Sequence, residues 1–239
     1  MSLMNDLTII YYTANTIKES VAQKVRDYLL KTTENKIPII SVSQKPLDFG
    51  KNICVGEIGK SKYNCYKQIL VGAKAAKTRY VACAEDDTLY SKDHFNFRPP
   101  NKETFYYDTN MWFCTNDGEY YYWRKDILKD RGGMWGCIVA TETLVTNLTK
   151  RFSVYPVDPL PSKSLHWGEP GYHDHQYGMK NKAANFESED PNVVFLYRES
   201  MGGRHTILHN RLVPTGNDNI SYNLQSFGGA SKLWGSYWG

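Results

Sequence analysis

Three acids stand side by side at Glu85-Asp86-Asp87, directly after the small and apolar run Val81-Ala82-Cys83-Ala84. Adjacent carboxylates repel, and each raises the cost of ionising the next. A divalent cation with oxygen ligands wants such groups converging from a rigid platform, which makes metal binding one reading of the cluster. The other is a strand end whose last acid, Asp87, caps a helix.

Histidine supplies a second candidate. His94 stands alone, whereas His166, His173, His175, His205 and His209 all fall in the C-terminal half. Tyr172-His173-Asp174-His175-Gln176 puts two imidazoles around one acid. A zinc-dependent hydrolase could use His173 and His175 as ligands, and a solvated loop explains them equally well. The Gly-rich segments Arg131–Gly136 and Met201–Thr206 read as turns or mobile contact loops. Lys62 and Gln68 are candidates for a phosphate or nucleotide. Neither GxxxxGK[ST] nor GxGxxG occurs, so P-loop and dinucleotide readings lack their fingerprint.

The elements that would position these residues alternate. Leu7–Tyr12 is a β-branched and aromatic run, and so a buried strand. Thr16 and Glu19 then form a capping-box pattern before Ile17, Val21, Val25, Tyr28 and Leu29 at helical spacing. Ile37–Val42 is a second strand. A second helix starts behind Ser61 and carries Tyr66, Ile69, Leu70, Ala73 and Ala76 on one face. Arg79–Ala84 is a third buried strand. Strand and helix in this order predict parallel pairing with crossover helices, and in such sheets ligands bind at the carboxyl ends of the strands. The acids sit at one such end, and Thr13-Ala14-Asn15 at another.

The texture changes after Pro99-Pro100. The pieces Glu103–Cys114 and Glu119–Asp126 are aromatic and strand-like, with a hairpin-type turn at Asn116-Asp117-Gly118. Thr141–Phe152 is a short helix candidate and Asn192–Glu199 a late strand. Val154–Gly178 is rich in proline and histidine and reads as a functional loop. The tail, Phe227–Gly239, is small residues punctuated by Trp234, Tyr237 and Trp238.

An apolar strand that ends in an Asp-x-Asp-type acid pair resembles the GT-A glycosyltransferases. The stretches Thr8–Ile17 and Gly59–Asp87 are similar to that family's first nucleotide-contacting turn and its helix leading into the metal strand. The match covers about residues 7–95, and Glu85 stands where the family's first Asp is usual. The resemblance implies an α/β fold: a single GT-A-like domain over 1–239, with a mixed, mostly parallel sheet flanked by helices. A nucleotide-sugar half (about 7–98) would precede an irregular, aromatic-rich acceptor half (about 99–239). It implies a hexosyltransferase that moves sugar from a UDP-sugar to a hydroxyl, with inversion. Mn²⁺ or Mg²⁺ would be held by Asp87, Glu85 and His205, with His209 next in line. The donor would be contacted by Thr13, Ala14, Asn15, Ser43, Lys62 and Asp86. The base would be Asp174, or else Glu169, and Trp167 a sugar platform. The acceptor stays open among a glycan, a small molecule, a protein side chain and a modified DNA base.

Three rivals to this expectation remain: a nucleotidyltransferase on a similar sheet, the zinc hydrolase, and a carbohydrate-binding protein without chemistry. Composition favours none of them. A formal net charge of +4 suits an anionic ligand without requiring nucleic acid. Aromatics at 14% suit wet, amphipathic binding surfaces. Five dispersed cysteines, no CxxC pair, no signal peptide and no membrane-length apolar run make a cytoplasmic protein of a bacterium or virus the expectation.

Overall fold

A computed structural model describes residues 6–114, 119–123, 125, 128–129, 132–156, 168–196 and 219–239. Strand β1 (Leu7–Thr13) is buried along its whole length, as is β2 (Ile39–Ser43), and a short β3 (Lys51–Cys54) follows. Helix α1 (Glu19–Thr32) connects the first two strands, and α2 (Lys62–Ala75) leads to β4 (Tyr80–Glu85). Ser61 caps α2 as expected, its hydroxyl accepting from the Asn64 amide at 3.1 Å. The capping box at Thr16 does not form: α1 starts at Glu19, whose carboxylate accepts instead from Arg26.

The chain continues through β5 (Thr88–Leu89), α3 (Lys92–Asn96), β6 (Thr104–Asp108), β7 (Met111–Cys114), β8 (Tyr121–Trp123) and β9 (Cys137–Ala140). Helix α4 (Thr141–Val154), β10 (Lys182–Phe186), β11 (Asn192–Phe195) and β12 (Asn219–Ser221) follow. A small hairpin, β13 (Asn223–Leu224) with β14 (Gly228–Gly229), precedes helix α5 (Ala230–Trp238).

Seven strands form the main sheet in the order β10-β6-β9-β4-β1-β2-β3. Only β9 runs against the rest. This is the mixed, mostly parallel sheet flanked by helices that the sequence predicts. Alternation sends Ile10, Tyr12, Val81 and Cys83 to the face covered by α2 and α4. Ile9, Tyr11, Ala82 and Ala84 go to the other face. Gly72 lets α2 lie close to the sheet, since a Cβ there would come within 2.5 Å of Ile10.

A second sheet, ordered β12-β8-β7-β11-β5, packs on that other face through Met111, Phe113, Tyr122 and Val194. The aromatic piece Glu103–Cys114 therefore does not stay in one strand. It breaks at Asp108, whose carboxylate accepts from the Asn110 amide at 2.9 Å and turns the chain from the first sheet into the second. The same buried carboxylate accepts from the Ser188 amide, the Asn192 side chain and the His94 ring. Burial alone would raise the Asp108 pKa, but the bond and charge of His94 carry it below its ordinary value. The tail is also more ordered than its composition suggests. Trp234 and Trp238 stack at 5.0 Å, one helical turn apart, and α5 packs them with Tyr237 onto Ile17, Val21 and Ala22.

Asp108 carries four hydrogen bonds at the junction of the sheets, so its removal strands four buried donors, from His94, Asn110, Ser188 and Asn192. Asp108→Ala should lower the unfolding free energy in urea by about 3–5 kcal/mol. A loss smaller than about 1 kcal/mol would show that the junction does not hold the sheets together.

Candidate active site

Strands β1, β2 and β4 end at the same edge of the main sheet, and buried polar groups hold those ends in register. The Gln68 side-chain amide, reaching down from α2, donates to the carbonyls of Thr13 and Val42, each at 2.8 Å. Asn15 takes a left-handed backbone, φ 54°. From there its carboxamide oxygen accepts from the Gln44 and Lys45 amides at 2.8 and 2.9 Å. Ser43 and Asn52 knit β2 to β3, the Asn52 side chain donating to Ser43 at 2.9 Å. The turn Thr13-Ala14-Asn15 and the end of β2 thus form one continuous rim.

The three acids lie on this rim, each anchored differently. Glu85 points to the α2 face and accepts from Tyr12 at 2.6 Å. Asp86 is buried and accepts from the Thr13 hydroxyl, which in turn accepts from the Asn15 amide. Asp87 is buried, accepts from Thr88, and through its backbone carbonyl receives the Phe195 amide at 2.8 Å. The acid cluster is therefore tied to both sheets. Asp87 starts no long helix, so the capping reading falls away: the chain turns directly into β5.

Each hydroxyl anchor favours an ionised carboxylate, but burial outweighs all of them. Desolvation pushes Glu85 up to about 7, with the charges of Asp86 and Glu169 adding to it and the Tyr12 bond opposing. Asp86 is raised by burial. Asp87 is raised well above its usual range by burial and by Glu85 and Asp86 together. Lys60 is the cation whose charge offsets all three. Sequence reasoning passed over it. It stands beside Gly59, which the Gln44 side chain clamps through two hydrogen bonds.

A second group lies on the α2 side. Glu169 accepts from Tyr66 at 2.7 Å and pairs with Lys62 at 2.8 Å. Lys62 thus places a positive charge directly on Glu169. Asp174 is 1% exposed and paired with Arg151 at 2.6 Å. Its other oxygen accepts from Asn147 at 2.7 Å and the Gly171 amide at 2.8 Å. Arg151 also donates to the Gly168 carbonyl at 2.6 Å, so this ion pair straps the loop 168–177 onto α4. A base needs a lone pair open to the acceptor. On this geometry Asp174 is a strut, which corrects the expectation that it deprotonates substrate.

Among the described residues, no group of three or more His, Cys, Asp or Glu is arranged to hold a metal by itself. His175 is exposed while the Nδ1 of His173 is buried, and neither joins a group of three potential ligands among the described residues, which the zinc-hydrolase alternative would need. His205, His209, Trp167 and the turn at 116–118 lie outside the described residues. The carboxylates at 85–87 are hard oxygen donors under mutual repulsion. That chemistry fits a Mg²⁺-like ion, which typically takes one or two carboxylates and completes its shell with water and substrate phosphates. No helix of the described residues is long and apolar enough to cross a membrane.

No family model matches the chain, and no curated protein matches it. Among solved structures it is similar to S. aureus TarS, with 14% identity over 82% of this chain and 38% of that one, at a TM-score of 0.40. It is similar to a glycosyltransferase involved in the glycosylation of the major capsid of PBCV-1, with 9% identity over 79% of this chain and 91% of that one, at 0.42. For S. aureus TarS 1-349 in complex with UDP-GlcNAc the identity is 10%, over 80% of this chain and 59% of that one, also at 0.42.

The raised acids make a pH prediction. A carboxyl held above its ordinary value stabilises the fold below that ordinary value and loses the contribution as pH rises through the folded value. Metal-free protein should therefore lose melting temperature as pH climbs from 4.5 to about 7. Glu85→Gln should melt progressively higher than wild type across that window. A difference that is constant with pH would contradict the crowding of the acids.

Proposed function

We propose that the chain is a GT-A-type glycosyltransferase that moves a hexosyl group from a UDP-sugar to an acceptor hydroxyl. The observation that carries this is the placement of three contiguous carboxylates at the end of β4, beside the rim built by the ends of β1 and β2. An anionic nucleotide sugar could reach such acids only with a cation between them, and the carboxyl edge of a mostly parallel sheet is where such ligands bind.

In this reading the chain is one unit, with residues 7–98 serving the donor and 99–239 the acceptor. Thr13, Ala14, Asn15 and Ser43 line the nucleoside shelf. Asp87 and Glu85 hold Mn²⁺ or Mg²⁺, and His205 is their proposed third partner. When bound, the cation acts as a Lewis acid that neutralises charge on the departing diphosphate. Lys60 adds a fixed positive charge at the same place, which favours the same charge development. Asp86 faces the ribose or the sugar, held by Thr13. Glu169 takes the acceptor proton: it is half-buried, is oriented by Tyr66 and Lys62, and lies within electrostatic reach of Glu85. A positioned base acting on the acceptor implies inversion.

The assignments separate in a single assay that follows nucleoside diphosphate release. Asp87→Asn and Glu169→Gln should each lower kcat by about 10²-fold or more, the scale of losing a general base or an electrostatic stabiliser. Glu169→Gln should leave UDP binding intact, whereas Asp87→Asn should weaken its dependence on Mn²⁺. Asp174→Asn should instead lower the melting temperature. Release of pyrophosphate in place of the diphosphate would make the protein a nucleotidyltransferase and overturn the reading.

A further inference from the structure

The second sheet begins at the acid cluster, since β5 follows Asp87 directly. Its pairing carries one transverse row away from Asp87. The Phe195 amide bonds the Asp87 carbonyl, and β11, β7, β8 and β12 then align Phe195 with Cys114, Tyr121 and Ser221. Tyr120 and Tyr222 lie one residue beyond the paired Tyr121 and Ser221, at the ends of β8 and β12. Their rings meet edge to face with centroids 6.4 Å apart. Tyr222 is 71% exposed, the most exposed large apolar side chain described.

The surroundings are unusual for this chain. Residues 219–231 contain no Asp, Glu, Lys or Arg, although charged residues make up 23% of the whole. Asn219, Ile220, Asn223, Gln225 and Ser226 are exposed along this stretch. The flanking charges are of both signs: Glu119 precedes Tyr120, Ser226 donates to Asp190 at 2.9 Å, and the exposed Lys232 ends the stretch. An anionic partner such as DNA calls for Lys and Arg at its phosphates. An uncharged amide- and hydroxyl-rich strip, with the exposed Tyr222 ring set against a half-buried Tyr120 that packs on the core, suits a neutral polyhydroxyl chain, which stacks its C–H faces on rings and hydrogen-bonds at their edges.

We infer that Tyr120 and Tyr222 form a remote platform for a neutral oligosaccharide acceptor that runs along the second sheet from the reaction centre. With strands about 4.8 Å apart, Tyr120 stands roughly 14 Å and Tyr222 roughly 19 Å from Asp87 across the sheet. That is several times the width of one sugar ring. The platform therefore selects a chain over a monosaccharide. The inference rests on the glycosyltransferase reading and narrows its acceptor to a glycan.

Binding is measured by calorimetry without donor, using the full chain and neutral gluco-, manno- and N-acetylglucosamine oligosaccharides of one to six units. A single-stranded DNA oligomer serves as the anionic control. The expected result is affinity for at least one series that rises with chain length. Tyr222→Ala should weaken the longest member about tenfold and Tyr222→Phe should keep it. The thermal shift given by UDP with Mn²⁺ should be the same in all three proteins. Absence of oligosaccharide binding, affinity independent of length, loss in Tyr222→Phe equal to that in Tyr222→Ala, or preference for DNA would each overturn the platform. A missing UDP shift with sugar binding retained would instead overturn the donor site.

Discussion

The structure is organised around the repulsion among Glu85, Asp86 and Asp87. Burial removes the water that would screen them, and each carboxylate then raises the cost of ionising its neighbours. The fold meets this cost with one hydroxyl apiece, from Tyr12, Thr13 and Thr88. Those contacts orient the acids without neutralising them. Lys60 is a partial counter-charge at the rim. An arrangement so far from electrostatic balance is one that the cation proposed above would offset. A structural ion pair looks different, as Asp174 with Arg151 shows.

The contrast between those two acid environments explains how the site is divided. Asp174 has its charge matched by Arg151 and its lone pairs taken by Asn147 and the Gly171 amide. It fixes the loop that carries Glu169. Glu169 has a cation and a phenol for company, and its backbone carbonyl receives the His173 amide. One acid is thus spent on architecture so that the other can be positioned. The same economy appears at Asp108, which turns the chain between sheets and holds His94 and Asn192.

Much of the first half was legible in the sequence because it depends on local rules. Apolar runs gave β1, β2 and β4, Ser61 announced α2, and the acids fell at a strand end where parallel topology puts ligands. What was not legible depends on partners far apart in the chain. Nothing near Asp174 points to Arg151, and nothing near Gln68 says that it bridges two strand ends. The two-residue β5 is too short to show periodicity, yet it starts the second sheet. Gly235 and Ser236 interrupt the pattern of α5, whose stability comes from Trp234 and Trp238 packing on α1. Thr16 misled because α1 starts at Glu19 without a side-chain cap, while the Thr16 hydroxyl accepts from Lys60 and the Glu19 carboxylate from Arg26. Lys60 was overlooked because a lysine beside glycine reads as solvated loop.

The central claim is that the acids at the end of β4 need a cation bridged to a diphosphate. A titration of Mn²⁺ followed by electron paramagnetic resonance, with UDP present and absent, tests it most directly. The account predicts one tightly bound Mn²⁺ per chain only when UDP is present, with net proton release near pH 7 as Glu85 gives up its proton. Binding of UDP that is indifferent to Mn²⁺ and moves no protons would contradict it.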